Sequence, residues 1–327
     1  MNEKAITVLE QYPIVAKKIF KLRGNYGCIA EDGKYLLQEY DFSEEKLETL
    51  FCVQEYLEKH QIITEKLVRN QEQKLLSVGE DGYGYILKKY YDSSECDMKN
   101  PEQLKEMIRM LGRFHNACRE TKDALGEKVR IFQEKNRLIS FQKHNQEIIN
   151  IRNYIGRRKN KNFFEQYLQN IIQPNYLQAS KTIEALKKSA YEQVYQEACE
   201  KKQLCHGNFN HHTAAFYNGK VILVQMTKVS YGPGIHDLYD FLRKILEKND
   251  WNLELGHQLL KCYEETTSYK DYEKVIMKAM LSYPEKFWKI VNYYYNSNKA
   301  WYSEKNEEKL RAFQSQEEKR WKFIESL

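Results

Sequence analysis

Proline is scarce in this chain, with five in 327 residues, and glycine is limited to fourteen. That excludes a collagen-like or proline-rich low-complexity architecture and leaves room for long uninterrupted helices. No window holds the eighteen or more apolar residues of a helical membrane span, so none is expected. The start, Met1-Asn2-Glu3-Lys4-Ala5-Ile6-Thr7, lacks the apolar core of a secretion signal, and synthesis in the cytoplasm is the simplest expectation. Seven cysteines stand singly with no Cys-x-x-Cys pair, and the odd count argues against a disulfide framework. No nucleic-acid-binding module is recognisable. The net charge of +6 permits an anionic partner without demanding one. What remains is a chain with 42% apolar and 30% charged residues, long enough to bury a sizeable core.

The first third mixes strand and helix signals. Gly27 to Glu31 and Lys34 to Tyr40 read as a hairpin turning at a glycine, and Lys74 to Val78 with Tyr83 to Lys89 as a second one around Glu80-Asp81-Gly82. Between them, Ser43 with early acids opens a helix whose Leu47, Leu50, Phe51 and Tyr56 share one face. The polar run Asp92-Ser93-Ser94-Glu95 marks a junction. Beyond Pro101 the pattern is helical over Glu102–Glu120, Glu165–Ile172, Tyr176–Glu200, Asp237–Glu247 and Tyr283–Tyr295. A final charged segment, Glu304–Leu327, has Leu310, Phe313, Trp321 and Ile324 spaced for a docked helix.

One non-helical stretch interrupts the second part. Leu204-Cys205-His206-Gly207-Asn208-Phe209-Asn210-His211-His212-Thr213 has the layout of a phosphotransferase catalytic loop without its acids. In such a loop an Asp two residues after the His takes the substrate proton, and an Asn five residues later holds magnesium. Asn208 and Thr213 occupy those places, and an amide has no useful basicity near neutral pH. Ala214–Tyr217 and Lys220–Val224 then flank Asn218-Gly219, a strong two-residue hairpin signal. The second strand leads to Gln225-Met226 where a metal-binding Asp is expected, and a neutral amide suits a hard cation poorly. His236-Asp237-Leu238 opens the next helix and keeps its acid.

These residues resemble the CotS family of bacterial spore coat proteins, relatives of the aminoglycoside and choline phosphotransferases. The resemblance spans nearly the whole chain, through Asp32-Gly33-Lys34-Tyr35-Leu36-Leu37-Gln38, Leu111-Gly112-Arg113-Phe114-His115, Cys205-His206-Gly207 and Gly232-Pro233-Gly234-Ile235-His236-Asp237-Leu238. It is distinguished by the tail motifs Tyr283-Pro284-Glu285-Lys286-Phe287-Trp288-Lys289 and Asn298-Lys299-Ala300-Trp301. It implies an α+β, two-lobed protein-kinase-like fold, with a small mixed α/β lobe over 1–95 and a larger, mainly helical lobe over 96–327. Gln38 falls where the phosphate-binding Lys belongs. Lys34, four residues back along the strand, lies about 13 Å away and cannot substitute. Gln38, Asn208, Thr213 and Gln225 are therefore degenerate catalytic positions expected to line one cavity, while His206 and Asp237 are expected to brace the loop.

The expectation that follows is a pseudokinase of the spore coat, acting through contacts with other coat proteins. It is expected to be made in the mother cell and then placed in the coat. No metal or cofactor is expected, and ATP is admitted only as a weak metal-independent ligand. The alternative is an unconventional ATP-dependent phosphotransferase acting on a sugar, amino alcohol or protein. A third class is a nucleotide or small-ligand binding module without turnover. Cys205 reads as a buried small residue rather than a nucleophile. His206, His211 and His212 show no ligand spacing that would mark a zinc site. Arg157-Arg158-Lys159-Asn160-Lys161 reads as a solvated connection rather than a nucleic-acid grip. Gly24-Asn25-Tyr26-Gly27 reads as a structural turn. The 25 tyrosines, clustered at Tyr90-Tyr91 and Tyr293-Tyr294-Tyr295, are mainly core residues with some offered to an assembly surface.

Overall fold

A computed structural model describes residues 3–22, 24–41, 43–126, 129–296 and 303–327. Its contacts divide the chain into two units. One comprises Met1–Phe132 with Lys201–Tyr231, the other Gln133–Glu200 with Gly232–Leu327. This grouping is not the division at residue 95 expected from sequence: the helix after residue 100 and the 201–231 segment are counted with the sheet. The tail motif at 298–301 lies outside the described residues.

The first unit begins with α1 (Glu3–Leu9), followed by β1 (Ala16–Leu22), β2 (Asn25–Ala30) and β3 (Lys34–Glu39). After α2 (Glu44–Lys59) come β4 (Leu67–Val68), β5 (Ser77–Val78) and β6 (Gly84–Lys89). These strands form an antiparallel sheet in the order β1-β2-β3-β6-β4, with β5 on β6. The period-two alternation of strand side chains fixes what each face covers. Tyr35, Leu37, Tyr85 and Leu87 pack with Ala5, Val8 and Tyr12 from the α1 side. Ile86 and Leu67 pack with Leu47 of α2 on the other side. Gly27 sits within β2 opposite Phe20, whose ring would lie 2.5 Å from any Cβ added there. Gly27 is thus a packing glycine and the turn belongs to Gly24, at φ 85°.

The chain continues through β7 (Ser94–Glu95), α3 (Pro101–Ala117) and α4 (Lys122–Leu125). Asn100 caps α3 by accepting from the backbone N–H groups of Glu102 and Gln103, with Pro101 at the first helical position. The later segment of the unit adds β8 (Leu204–Cys205), β9 (Ala214–Tyr217), β10 (Lys220–Leu223) and β11 (Ser230–Tyr231). The expected hairpin is present. Asn218 at φ 47° and Gly219 at φ 74° give the turn two consecutive left-handed residues. β9 also pairs with β7, and β8 with β11.

The second unit is helical. It contains α5 (Arg137–Arg157), α6 (Phe163–Lys188), α7 (Tyr191–Glu200), α8 (Ile235–Lys248), α9 (Leu253–Glu264), α10 (Asp271–Ser282), α11 (Glu285–Asn296) and α12 (Ser303–Glu325). Ile148 and Ile155 of α5, Phe164 and Leu168 of α6, Phe287 and Val291 of α11, and Leu310 and Phe313 of α12 build one apolar cluster. The basic run is the connection between α5 and α6, as its composition suggests. A capping box between Asn162 and Glu165 starts α6 there. That helix runs through Pro174 where the sequence pattern suggests a break. Asn175 Nδ2 donates to the Ile171 carbonyl at 2.9 Å beside the missing N–H, and core contacts on both sides hold the segment helical. In α12, Leu310, Phe313 and Ile324 are buried as their spacing predicts, but Phe323, not Trp321, completes the buried face. Among the described residues no helix is long and apolar enough to cross a membrane.

Candidate functional site

The loop after β8 owes its shape to local hydrogen bonds and one glycine. Gly207 adopts φ 73°, and its α-carbon lies so close to the next segment that a Cβ would stand 2.1 Å from the Lys228 carbonyl oxygen. His206 is buried at 1% exposure, with its ring edge-on to Phe114 of α3 and to Phe209. That packing suits an anchor for the loop. Cys205 is buried in β8, and all seven cysteines are free thiols.

Thr213 is turned to the same purpose. Its hydroxyl donates to the Asn208 carbonyl at 2.6 Å and accepts from the Asn210 N–H at 3.0 Å. Asn210 in turn donates through Nδ2 to the Asn208 carbonyl at 2.8 Å and to Asn208 Oδ1 at 3.1 Å. With 2% of Thr213 exposed, its oxygen is committed to the loop. Thr213→Val keeps the shape and removes both bonds, so it should cost about 1–2 kcal/mol, measured as a shift in the denaturant midpoint of the purified chain. An unchanged midpoint would mean that the hydroxyl does not hold the loop.

The structure brings the four expected positions together. Gln38, Asn208, Thr213 and Gln225 line one cavity of about 1190 Å³ within the first unit. Gln38 is half-buried on β3, opposite Ile86 of β6. Gln225 is exposed just past β10, at φ 54°, and its carbonyl accepts from Thr227 N–H at 2.8 Å. Lys34 lies outside this set. It pairs with Asp92 at the surface, and that hydrogen bond raises its pKa above the ordinary lysine range. Asp237 lies in the first turn of α8, buried, in the second unit.

Sequence reasoning missed a cation in the cavity. Lys88 Nζ lies 2.7 Å from Glu65 Oε2, with both side chains about one-seventh exposed at 13% and 14%. Both residues line the cavity. The pair is held from two directions. Buried Gln54 of α2 donates to the Glu65 carbonyl at 2.8 Å and accepts from Leu67 N–H at 3.0 Å. Glu65 N–H also donates to the Leu223 carbonyl of β10 at 3.2 Å. A signal was available for Lys88. In Gly84-Tyr85-Ile86-Leu87-Lys88-Lys89, strand alternation puts Lys88 on the same face as Ile86, so a lysine occupies an inward position. Glu65 sits in an irregular connection and offers no comparable pattern.

Glu39, Asp41 and Glu95 also line the cavity, so acids are present away from the expected catalytic positions. The chemistry available is therefore a polar, mixed-charge cleft. Its best-buried cation is already neutralised by its neighbour, and its catalytic-loop positions are amides and a committed hydroxyl.

The family model described as "Spore coat putative kinase YutH" matches residues 5–327. The chain belongs to the YutH spore coat family. No curated protein matches its sequence. Among solved structures, an aminoglycoside phosphotransferase from Alicyclobacillus acidocaldarius is similar at TM-score 0.81 and 15% identity, covering 98% of this chain and 94% of that one. AMP-bound spectinomycin phosphotransferase APH(9)-Ia is similar at TM-score 0.61 and 13% identity, covering 98% of each chain. The amicoumacin kinase hAmiN is similar at TM-score 0.61 and 13% identity, covering 98% of this chain and 94% of that one. At such identities the likeness shows the fold alone. This YutH-family chain has the kinase-like, aminoglycoside-phosphotransferase-like fold, and the α+β class and spore coat relationship expected from sequence both stand.

Proposed function

We propose that this YutH-family protein is a pseudokinase of the spore coat that works through contacts with other coat proteins. The observation that carries this reading is the state of Thr213, whose buried hydroxyl is spent inside the loop at the place where a metal ligand would stand. The neighbouring catalytic positions Asn208, Gln225 and Gln38 are neutral amides. Losing a general base typically costs about two to four powers of ten in rate. Losing the anionic metal ligands removes much of the charge stabilisation on which phosphoryl transfer depends. His206 acts in this reading as a brace: it keeps the loop's shape while its chemistry is gone. The protein is made in the mother cell and ends in the coat. It needs no metal or cofactor for this role, binds ATP at most weakly and without metal, and engages no nucleic acid.

Purified protein given labelled ATP, magnesium and candidate acceptors should transfer no phosphoryl group, and Asn208→Ala should behave the same. Glu39, Asp41 and the Lys88–Glu65 pair favour a second reading, because they place acids and a cation in the same cavity. In it the protein is an unconventional phosphotransferase acting on a sugar, amino alcohol or protein. Wild-type transfer that disappears in Asn208→Ala would reject the pseudokinase and establish that reading.

A further inference from the structure

Three donor groups meet at the rim of the cavity although they come from two distant parts of the chain. Glu95 ends β7, and His211 and His212 form the turn immediately before β9. One ligand atom from each lies within 4.8 Å of the others. His212 Nδ1 and Glu95 Oε1 are 3.0 Å apart, and the two imidazole rings lie against each other at a tilt of 39° with centroids 3.8 Å apart. Glu95 and His212 both line the cavity.

The frame behind these groups is ordered. β7 pairs with β9 in antiparallel register, Glu95 opposite Ala215, so the carboxylate and the histidine turn are fixed to the same small sheet. The turn is tied further by Asn210 Oδ1, which accepts from His212 N–H at 2.8 Å, and by the Thr213 hydroxyl at its base. Tetrahedral ligation at about 2.0–2.1 Å per bond brings donor atoms to about 3.3 Å from one another, and the His212–Glu95 pair is already near that spacing.

We propose that Glu95, His211 and His212 form a binding site for a borderline divalent transition ion such as Zn²⁺ or Co²⁺. Two imidazoles and one carboxylate select that class over Mg²⁺, which prefers an all-oxygen shell with several waters. The exposure of Glu95 and His212 leaves the remaining coordination positions to water or to an anionic group in the cavity. The ion would link β7 to the loop that precedes β9 and so fix one rim of the cleft. This site is separate from the degenerate positions Thr213 and Gln225. It does not depend on whether the protein transfers phosphate.

The test is calorimetric titration of Zn²⁺ into the metal-free full-length protein under reducing conditions, with Co²⁺ absorption as a second readout. One equivalent should bind to the wild type. His212→Ala and the near-isosteric Glu95→Gln should each weaken it by about 100-fold or more, exceeding the 10–100-fold typical of outer-shell losses. Mg²⁺ should not compete. Far-ultraviolet circular dichroism of both variants should match wild type, since both side chains are largely exposed. Equal affinity and stoichiometry in the wild type and both variants would overturn the assignment. So would a thiolate-to-cobalt charge-transfer band accompanying the tightest equivalent, because it would place the ion on cysteine.

Discussion

Replacing Arg137 with methionine is expected to destabilise the fold by about 2 kcal/mol at neutral pH. That is less than the roughly 3–5 kcal/mol of breaking a fully buried ion pair, because Arg137 and Asp240 keep 20% and 27% of their side-chain surface exposed. Arg137, at the start of α5, lies 2.6 Å from Asp240 of α8 and 3.3 Å from Glu134, within the helical unit. Around it, His236 Nδ1 lies 3.1 Å from Glu134 Oε2, and Arg243 lies 3.8 Å from Asp240. Methionine keeps the apolar stem of the side chain and removes its charge, so two acids lose their main partner. Arg243 also limits the damage at Asp240.

The pH dependence gives this expectation its sign. Burial alone raises the Asp240 pKa, but Arg137 and then Arg243 more than reverse that, and the carboxyl sits below its ordinary range. A depressed carboxyl contributes stability that is fully present above its unfolded pKa, about 3.9, and is lost as pH falls through the folded value. Much of that contribution disappears in Arg137→Met. The gap between wild type and variant in urea unfolding should therefore be widest near pH 7 and narrow below about pH 4. A gap that stays constant from pH 7 to pH 3 would show that Arg137 acts by packing, not by charge. Arg137→Lys should fall between the two, because it keeps the charge and loses the planar fork.

That network was invisible in the sequence, and the reason is physical. Glu134, Arg137, His236 and Asp240 come from segments about a hundred residues apart and share no local spacing. Hairpins behave differently, because their signal is local. Asn218-Gly219 between apolar runs identified β9 and β10 to within a residue or two. The glycine turns around Gly33 and Gly82 likewise identified β2–β3 and β5–β6. β1 was missed because Lys17, Lys18 and Lys21 interrupt its apolar pattern, as expected of an edge strand. α5 was missed for a related reason: Phe141, Ile148, Ile151 and Ile155 are its buried residues and are spread thinly among polar neighbours.

The candidate site divides in the same way. The cavity positions Gln38, Asn208, Thr213 and Gln225 could be placed by motif, because each has a fixed offset in a recurring loop or strand. The bonding of Thr213 could not, since a threonine at that offset reads equally as a missing ligand or a loop fastener until its hydroxyl partners are known. Lys88 was legible in principle from strand alternation. Glu65 and Glu95 were not, because their relevance depends on which distant segment pairs with theirs. The two adjacent histidines were noticed but lacked a third ligand within reach of local spacing. Glu95 supplies it only through the β7–β9 ladder.

Gly207→Ala should cost about 3 kcal/mol, and it separates what the loop keeps from what it has lost. Two penalties combine. A side chain at φ 73° carries roughly 1–2 kcal/mol of left-handed strain. The new methyl would also stand 2.1 Å from the Lys228 carbonyl oxygen and 3.0 Å from its carbon, and a backbone carbonyl two residues before β11 yields only if the β8–β11 pairing shifts. Gly219→Ala is the internal control. It has nearly the same φ, 74°, but no atom within 4 Å of the added Cβ, so it should cost only about 1–2 kcal/mol, from strain alone. Denaturant unfolding of the two variants beside wild type reads the difference. Equal losses would mean that the Lys228 segment gives way freely and that the loop's shape is not held from that side. A larger loss at Gly207, together with a near-neutral Asn208→Ala, would mean that this chain retains the backbone of a catalytic loop for its architecture. The Asn208 side chain would then be dispensable to the fold, as the proposed pseudokinase reading expects.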